Sequence, residues 1–583
     1  MTMNDSSPVR PLGAAVPTLL RAVLVPRDDG DEYDRRDVLL DGGKIARVAP
    51  AGSLTAPEGC TEMDCSQRLL LPGFVNGHAH SSEHWIRGLV RPLPLELWVL
   101  SLIRHEPRGD CGWFGEESFA RTPSAALFLS ALLSGVEALL SGCTVVQDHI
   151  FVRHADDCAA VAAAYRALGV RAFIAPMLTD DAVRYANYIP LCEEAAERNA
   201  RGCCDTGMGA GGVLREELGG SDPAQTRAML DLWEACVAKC HEPAEGTHVA
   251  IGPVTAYSAS VELLKGAADI RRRHGLTGHT HLLETRAQAL LARQSLPSGS
   301  AVRHLKETGF LDLPGTSCAH AVWLDEEEMR LMAEAGAAVV HNPWSNLRLG
   351  SGVMPLHAME AAGVTVALGC DGAGSSDGQD MLEVVKLTSL IHSISTPEYR
   401  TWTRPRHAAL DLAARNGYRA VGLGGCGGVL REGYDADVSL WDLTTMSLLP
   451  RTDPVGLLVN GSRTQAPGAG SALNAVWVRG VQVVADSSPV GVDLPELRRQ
   501  LMEAQPEYRS PAVTAPESAP ITAAAEVEYR AALGLSPPPR ELEASEVGVT
   551  PGRGSFPAGR SLYDPKLHER SDGPTASKAP PRR

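Results

Sequence analysis

The sequence predicts an α/β fold: a (β/α)8 barrel of the TIM type, with a small β-sandwich built from both flanking segments. Eight short apolar runs recur between residues 72 and 426, most of them separated by amphipathic helical patterns. The runs do not alternate apolar with polar, as expected of parallel strands buried on both faces. Two β-rich stretches bracket that middle region, far apart in sequence but alike in texture.

In chain order, residues 17–71 read as short strands and turns. VLLDGGKIARVAP (38–50) is two β-runs joined by Asp-Gly-Gly, a hairpin signal. The eight runs follow: GFVNGHAH (73–80), CTVVQDH (143–149), RAFIAPM (171–177), THVAIGP (247–253), TGHTHL (277–282), GTSCAHA (315–321), AAVVHNP (337–343) and VTVALGCD (364–371). TPSAALFLSALLSGVEALLSG (122–142) and DEEEMRLMAEAG (325–336) are among the helical stretches between them. The β texture returns in DADVSLWDL (435–443) and NAVWVRGVQVVA (474–485). The expected domains are a composite sandwich (17–71 with 427–492), a barrel (72–426) and an extension (493–583). Rich in Pro, Ser and Ala, the extension is expected to be disordered beyond about residue 505, apart from a short helix at 521–534. Gly-rich residues 201–221 read as a surface loop, with a lid over the barrel mouth as the alternative.

Composition narrows the function classes. A net charge of −16 opposes attraction to nucleic acid or anionic membranes, and no basic-aromatic run suggests a nucleic-acid surface. No uncharged apolar stretch reaches the roughly 20 residues that span a bilayer. Arg21 and several prolines interrupt the N-terminal apolar segment, which argues against a secretory leader. The 13 cysteines include no CxxC pair; Cys203-Cys204 and Cys236/Cys240 lack the partners of a zinc finger. Reduced thiols in a cytoplasmic protein are expected.

Chemistry concentrates at the strand ends. The first run ends in His78 and His80, and the second in Asp148 and His149; the fifth carries His279 and His281. His320, His341 and Asp371 stand on the last three. C-terminal strand ends of a barrel converge on one mouth, and residues i and i+2 of a strand face the same way. His78 and His80 can therefore both face the axis, as half of a metal site. A single buried histidine is ordinarily a satisfied core residue. Polar groups at the ends of six of eight runs would each need a separate reason for burial. Imidazole and carboxylate donors with an open position suit one divalent metal ion, Zn²⁺ ahead of Fe²⁺, which makes a nucleophilic hydroxide from water near neutral pH. Spacing alone does not separate His279 from His281 as a ligand.

In order along the chain, PGFVNGHAH, HTHLLET, AHAVWL, HNPWSNLRLGSG and LGCDGAGSSDGQDM resemble the motifs of the amidohydrolase superfamily. More narrowly, they resemble its aminohydrolase branch, which includes adenosine-derivative deaminases and triazine hydrolases. The resemblance spans roughly residues 20–490 and also implies the split β-sandwich. It implies metal ligation by His78, His80, His281 and Asp371; His281 is preferred over His279 because it stands three residues before Glu284. It further implies that Asp371 is a base, that Glu284 shuttles a proton to a ring nitrogen, and that His320 orients the hydroxide and the developing oxyanion. Ser375 and Trp98 fall where the family places residues near substrate, and Glu83 and His149 are further substrate-binding candidates.

The activity so implied is hydrolytic deamination of an amino-substituted nitrogen heterocycle by a metal-bound hydroxide. Displacement of an alkylamine or halide, or amide or cyclic amidine hydrolysis, would use the same constellation. A non-catalytic scaffold is the least favoured reading, because every matched ligand and proton-handling residue is present. The fourth run lacks the lysine that bridges two metals in binuclear relatives, so one metal is expected. Val254 stands where nucleoside-type deaminases carry a substrate-touching histidine, which argues against an S-adenosylhomocysteine or methylthioadenosine substrate. The expected partners are a small-molecule substrate and, by resemblance, further copies of the chain.

Overall fold

The computed structural model describes residues 7–27, 31–90, 92–99, 123–180, 223–394, 397–461, 471–504 and 533. The expectations for 201–221 and for the extension beyond residue 505 lie outside the described residues, Leu533 apart. The chain opens with β1 (Thr18–Pro26), β2 (Tyr33–Asp41), β3 (Lys44–Pro50), β4 (Thr61–Asp64) and β5 (Arg68–Pro72). The β2–β3 hairpin turns at Gly42 and Gly43, whose φ of +56° and +77° lie in the left-handed region that favours glycine.

All eight apolar runs form strands: β6 (Phe74–His80), β7 (Cys143–Ile150), β8 (Arg171–Leu178), the split pair β9 (Thr247–Val249) and β10 (Gly252–Pro253), β11 (Gly278–Leu282), β12 (Thr316–His320), β13 (Ala338–His341), and β14 (Thr365–Leu368) followed by β15 (Asp371–Gly372). Every residue of β6, β7 and β8 is buried, the property read from their non-alternating sequence. They pair in parallel as β10-β8-β7-β6-β15 with β9 beside β8, and as β11-β12-β13-β14. Parallel bridges Ile251↔Gly278 and Thr255↔His281 connect the two sheets at one edge. At the other, Asp371 and Gly372, just beyond β14, pair with Ala79 and His80.

Helices Pro123–Leu140 and Glu326–Ala335 fill two of the expected connections. The second begins at a capping box, in which Asp325 and Glu328 each bond the other's backbone N–H.

The chain then returns to β structure with β16 (Val438–Asp442), β17 (Leu473–Val478), β18 (Val481–Ala485) and β19 (Ser488–Pro489). β16 pairs antiparallel with β5, so both flanking segments share one nine-stranded sheet, ordered β19-β18-β17-β16-β5-β1-β2-β3 with β4 beside β1. Two separate facing sheets, as a sandwich would have, are not distinguished among the described strands. Leu20, Val38, Leu40, Leu70, Leu440 and Trp477 form a core of their own on one face of this sheet. Leu69, Leu71, Trp441 and Val476 on the other face join the core that includes β6, β7 and their helices. Each such Leu or Val stabilises by about 1.5–3 kcal/mol, which clamps the composite sheet onto the parallel strands. Among the described residues, the cysteines are free thiols and no helix is long and apolar enough to cross a membrane.

Candidate metal centre

The register of β15 against β6 brings the first and last runs together. Asp371 pairs with Ala79, between the two histidines of β6, and its Oδ1 lies 3.3 Å from His78 Nε2 and 3.2 Å from His80 Nε2. From β11, His281 places Nε2 3.2 Å from His80 Nε2. The opposite ring nitrogens are anchored: His281 Nδ1–H donates to the Val254 carbonyl at 2.8 Å, and His80 Nδ1–H to that of His149. Such bonds hold each imidazole with Nε2 turned inward.

This donor set fits one divalent cation. His78 Nε2 is buried without a hydrogen bond among the described residues, and one donor atom each from His78, His320 and Asp371 lies within 4.8 Å of the others. Metal–nitrogen bonds of about 2.0–2.1 Å in tetrahedral geometry separate neighbouring donors by about 3.3 Å, the spacing found here. Burial and neighbouring imidazoles hold His78 well below the usual imidazole range and push His281 down to about 3, so both offer lone pairs. Burial pushes Asp371 up, but the imidazoles of His78 and His80 beside its Oδ1, together with His320, more than reverse this and keep it well below the usual carboxylate range. Burial also opposes the charge on His80, yet Asp371 and Glu83 raise it to about 9; a bound cation would replace that proton.

Two further groups face the same point. His320 Nε2 lies 3.5 Å from Glu284 Oε2 and 3.8 Å from Asp371 Oδ2, while its Nδ1–H donates to Asn346 Oδ1 at 2.9 Å. Glu284 accepts the Ser351 hydroxyl at 2.9 Å, and its backbone N–H donates to Gln288 Oε1 at 2.7 Å. Burial raises the Glu284 carboxyl against the pull of His320, as a proton-shuttling group requires. His320 and Asp371 have φ of +70° and +65°, conformations rare for residues with a Cβ and concentrated at functional sites.

The remaining candidates divide. Glu83 accepts the Gly374 N–H at 3.2 Å, and burial beside Asp371 raises it to about 7. Trp98 is buried against Ile86, Val90 and Leu349, and its indole N–H has no acceptor among the described residues. Ser375 spends its hydroxyl on the Gly372 carbonyl at 3.1 Å. His149 joins the imidazole cluster, forming a second possible donor trio with His78 and His281. Asp148 is committed to structure, accepting from the Ser81 N–H and the Tyr165 hydroxyl, each at 2.9 Å. His84, four residues beyond His80, is buried and lies 3.3 Å from Glu137.

Sequence reading passed over Glu96. It is 1 % exposed, accepts the Thr285 hydroxyl, and has a second oxygen, Oε2, with no partner among the described residues. Burial pushes it up to about 7, with Glu284 adding repulsion. Its signal in sequence was position: a carboxylate two residues before Trp98 in an otherwise apolar stretch.

Comparison with known proteins agrees with the five motifs. The amidohydrolase family model matches residues 69–470. A 5-methylthioadenosine/S-adenosylhomocysteine deaminase of Pyrococcus furiosus is 30% identical over 459 residues, 78% of this chain and 93% of the relative. A 5'-deoxyadenosine deaminase of Methanothermobacter thermautotrophicus is 29% identical over 73% of this chain and 85% of its own length. Among solved structures, an atrazine chlorohydrolase from Arthrobacter aurescens complexed with zinc superposes with a TM-score of 0.68 at 25% identity, covering 84% of this chain and all of that one. An adenosine deaminase from Xanthomonas campestris with bound zinc shares the fold, with a TM-score of 0.66 at 22% identity over 84% of this chain and 99% of its own.

Proposed function

The chain belongs to the amidohydrolase family and is a hydrolase of carbon–nitrogen bonds other than peptide bonds; from that premise we propose that it removes the amino group of an amino-substituted nitrogen heterocycle, at a centre holding one Zn²⁺. One observation carries the reading: four candidate ligands and two proton-handling residues converge from four strand ends, at donor separations of 3.2–3.8 Å. The two parallel sheets are read as one closed barrel over 72–426, with that convergence at its mouth.

His78, His80, His281 and Asp371 would hold the ion. When bound, it lowers the pKa of a coordinated water towards neutrality and polarises the oxygen added to the ring. Asp371, ionised across the physiological range, accepts a proton from the attacking water. Glu284, buried and more readily protonated than an ordinary glutamate, protonates the ring nitrogen beside the attacked carbon, which lets that carbon become tetrahedral. His320, turned by Asn346 so that Nε2 faces both carboxylates, donates to the developing oxyanion when both of its ring nitrogens carry a proton. The amino group then leaves as ammonia after taking up a proton.

For substrate, the indole N–H of Trp98 and the free oxygen of Glu96 supply one donor and one acceptor in an otherwise apolar wall. Val254 contributes its backbone carbonyl to His281 in place of a side-chain contact to substrate. Adenosine-type purines belong in the trial set beside triazines, since named relatives act on adenosine derivatives.

The test is mass spectrometry on metal-loaded protein incubated with aminopurine nucleosides, aminopyrimidines, aminotriazines, pterins and cyclic guanidines, with a Glu284→Gln control. Replacement of NH₂ by OH raises the product mass by about 1 Da, as water attack with loss of ammonia requires. That shift, abolished in the control, supports deamination. A mass change corresponding to loss of an alkylamine or halide would overturn deamination in favour of displacement.

A further inference from the structure

Behind the candidate ligand His78 stands a second imidazole rather than a carbonyl or carboxylate. His78 Nδ1 lies 2.8 Å from His279 Nε2, and His279 Nδ1 lies 2.8 Å from Ser317 Oγ. Gln147 Nε2 lies 3.0 Å from that same Oγ and 3.1 Å from the carbonyl of Gly77, the residue before His78. All four side chains are completely buried. His80 and His281 differ, since each hands its Nδ1 proton to a main-chain carbonyl, which can only accept.

The protons in this chain can be counted. A carbonyl only accepts, so the contact with Gly77 identifies the nitrogen end of the Gln147 amide, and Ser317 Oγ accepts from that same NH₂. Ser317 has one proton left to give, either to His279 Nδ1 or to the Gly278 carbonyl 3.5 Å away. If His279 receives it, His279 must donate from Nε2 to His78 Nδ1, and a neutral His78 then carries its proton on Nε2, closing that atom to a metal. If Ser317 turns to Gly278, His279 donates from Nδ1 and accepts the Nδ1–H of His78. His78 Nε2 is then a lone pair aimed at Asp371 and the inward-facing donors. The chain thus has two self-consistent polarities, and only one permits ligation.

We propose that His279 is a positioning residue: by accepting the Nδ1–H of His78 it selects the tautomer that binds metal, and Ser317 and Gln147 set the direction of the chain. This deepens the proposed metal centre and rests on His78 being a ligand.

The test compares His279→Gln with His279→Asn in the full-length protein. Glutamine reaches far enough to put an acceptor where Nε2 was; asparagine stops short, at the position of Nδ1. Zinc affinity is measured by competition with a chromophoric chelator, alongside the visible absorption of cobalt-loaded protein. H279N is expected to bind zinc about 10–100-fold more weakly, with a displaced cobalt band, and H279Q to stay within about 3-fold of the parent. A role confined to packing predicts equal effects of the two variants. Equal affinities and superimposable cobalt spectra for both would overturn the proposal. Should H279N not fold, Ser317→Ala takes its place, and unchanged zinc affinity there would likewise overturn it. His78→Ala separates the two readings: if it also binds zinc as the parent does, the ligand assignment itself fails and takes the inference with it.

Discussion

Replacing Glu137 by glutamine should destabilise the protein by an amount that depends on pH in a defined way. Glu137 receives Arg87 Nη2 at 2.8 Å on each carboxylate oxygen, lies 3.3 Å from His84 Nε2, and accepts the Gln379 backbone N–H at 3.1 Å. It thereby ties the segment after His80 to helix Pro123–Leu140 and to the loop that follows Asp371. Burial would raise this carboxyl, but His84 and Arg87 more than reverse the effect and bring it from the ordinary 4.5 to about 2. At about 1.4 kcal/mol per unit, this contributes about 3 kcal/mol at neutral pH. A carboxylate with a depressed folded-state pKa contributes in full above its unfolded value and loses that contribution as pH falls towards the folded value. The window is therefore pH 4.5 down to about 2, and near pH 3 about 1 kcal/mol should remain. Urea unfolding of parent and Glu137→Gln at pH 7 and pH 3 measures both. A gap below about 1 kcal/mol at pH 7, or one equal at the two pH values, would refute the assignment of charge to this cluster.

Three further outcomes are expected. Glu96, raised from 4.5 to about 7 by burial, costs stability as pH climbs through that interval, so Glu96→Gln should match the parent below pH 4.5 and exceed it by about 3 kcal/mol above pH 7, by urea unfolding; its KM for any substrate that bonds Glu96 should rise at the same time. Gly142 has a φ of +87° and an added Cβ would sit 2.7 Å from Trp441 Cζ2, so Gly142→Ala should cost about 1–3 kcal/mol and lower Tm by calorimetry; an unchanged Tm would mean that Trp441 moves freely. Dialysis against a strong chelator should abolish turnover, and adding back Zn²⁺ or Fe²⁺ separately should identify the working ion. Full activity in protein shown by elemental analysis to be stripped of metal would refute the proposed chemistry.

Much of this was written locally in the chain. Strands buried on both faces must be apolar throughout, so eight runs stand out without any knowledge of their neighbours, and all eight form strands. Strand alternation makes His78 and His80 share a face, and the motifs around His281, Glu284, His320 and Asp371 are contiguous enough to be read by eye. The hairpin at Gly42-Gly43 and the capping box at Asp325 are equally local, being decided within four residues.

What only the tertiary structure decided is pairing across long separations. Glu96 meets Thr285 across 189 residues, and His279 meets His78 across 201. Glu137 reaches Gln379 across 242. No periodicity encodes such contacts, because they depend on which strands become neighbours and in what register. The same limit applied to Asp148 and His149: adjacent in sequence, they separate in space, one bonded to Ser81 and Tyr165 and the other turned into the imidazole cluster, because neighbouring side chains on a strand face opposite sides. Residue types and their local spacing thus determined which groups could do chemistry, whereas the burial that moves Glu96 and Glu284 away from ordinary carboxylates, and the partners that keep Asp371 and Glu137 ionised, came into being only when distant segments packed against one another.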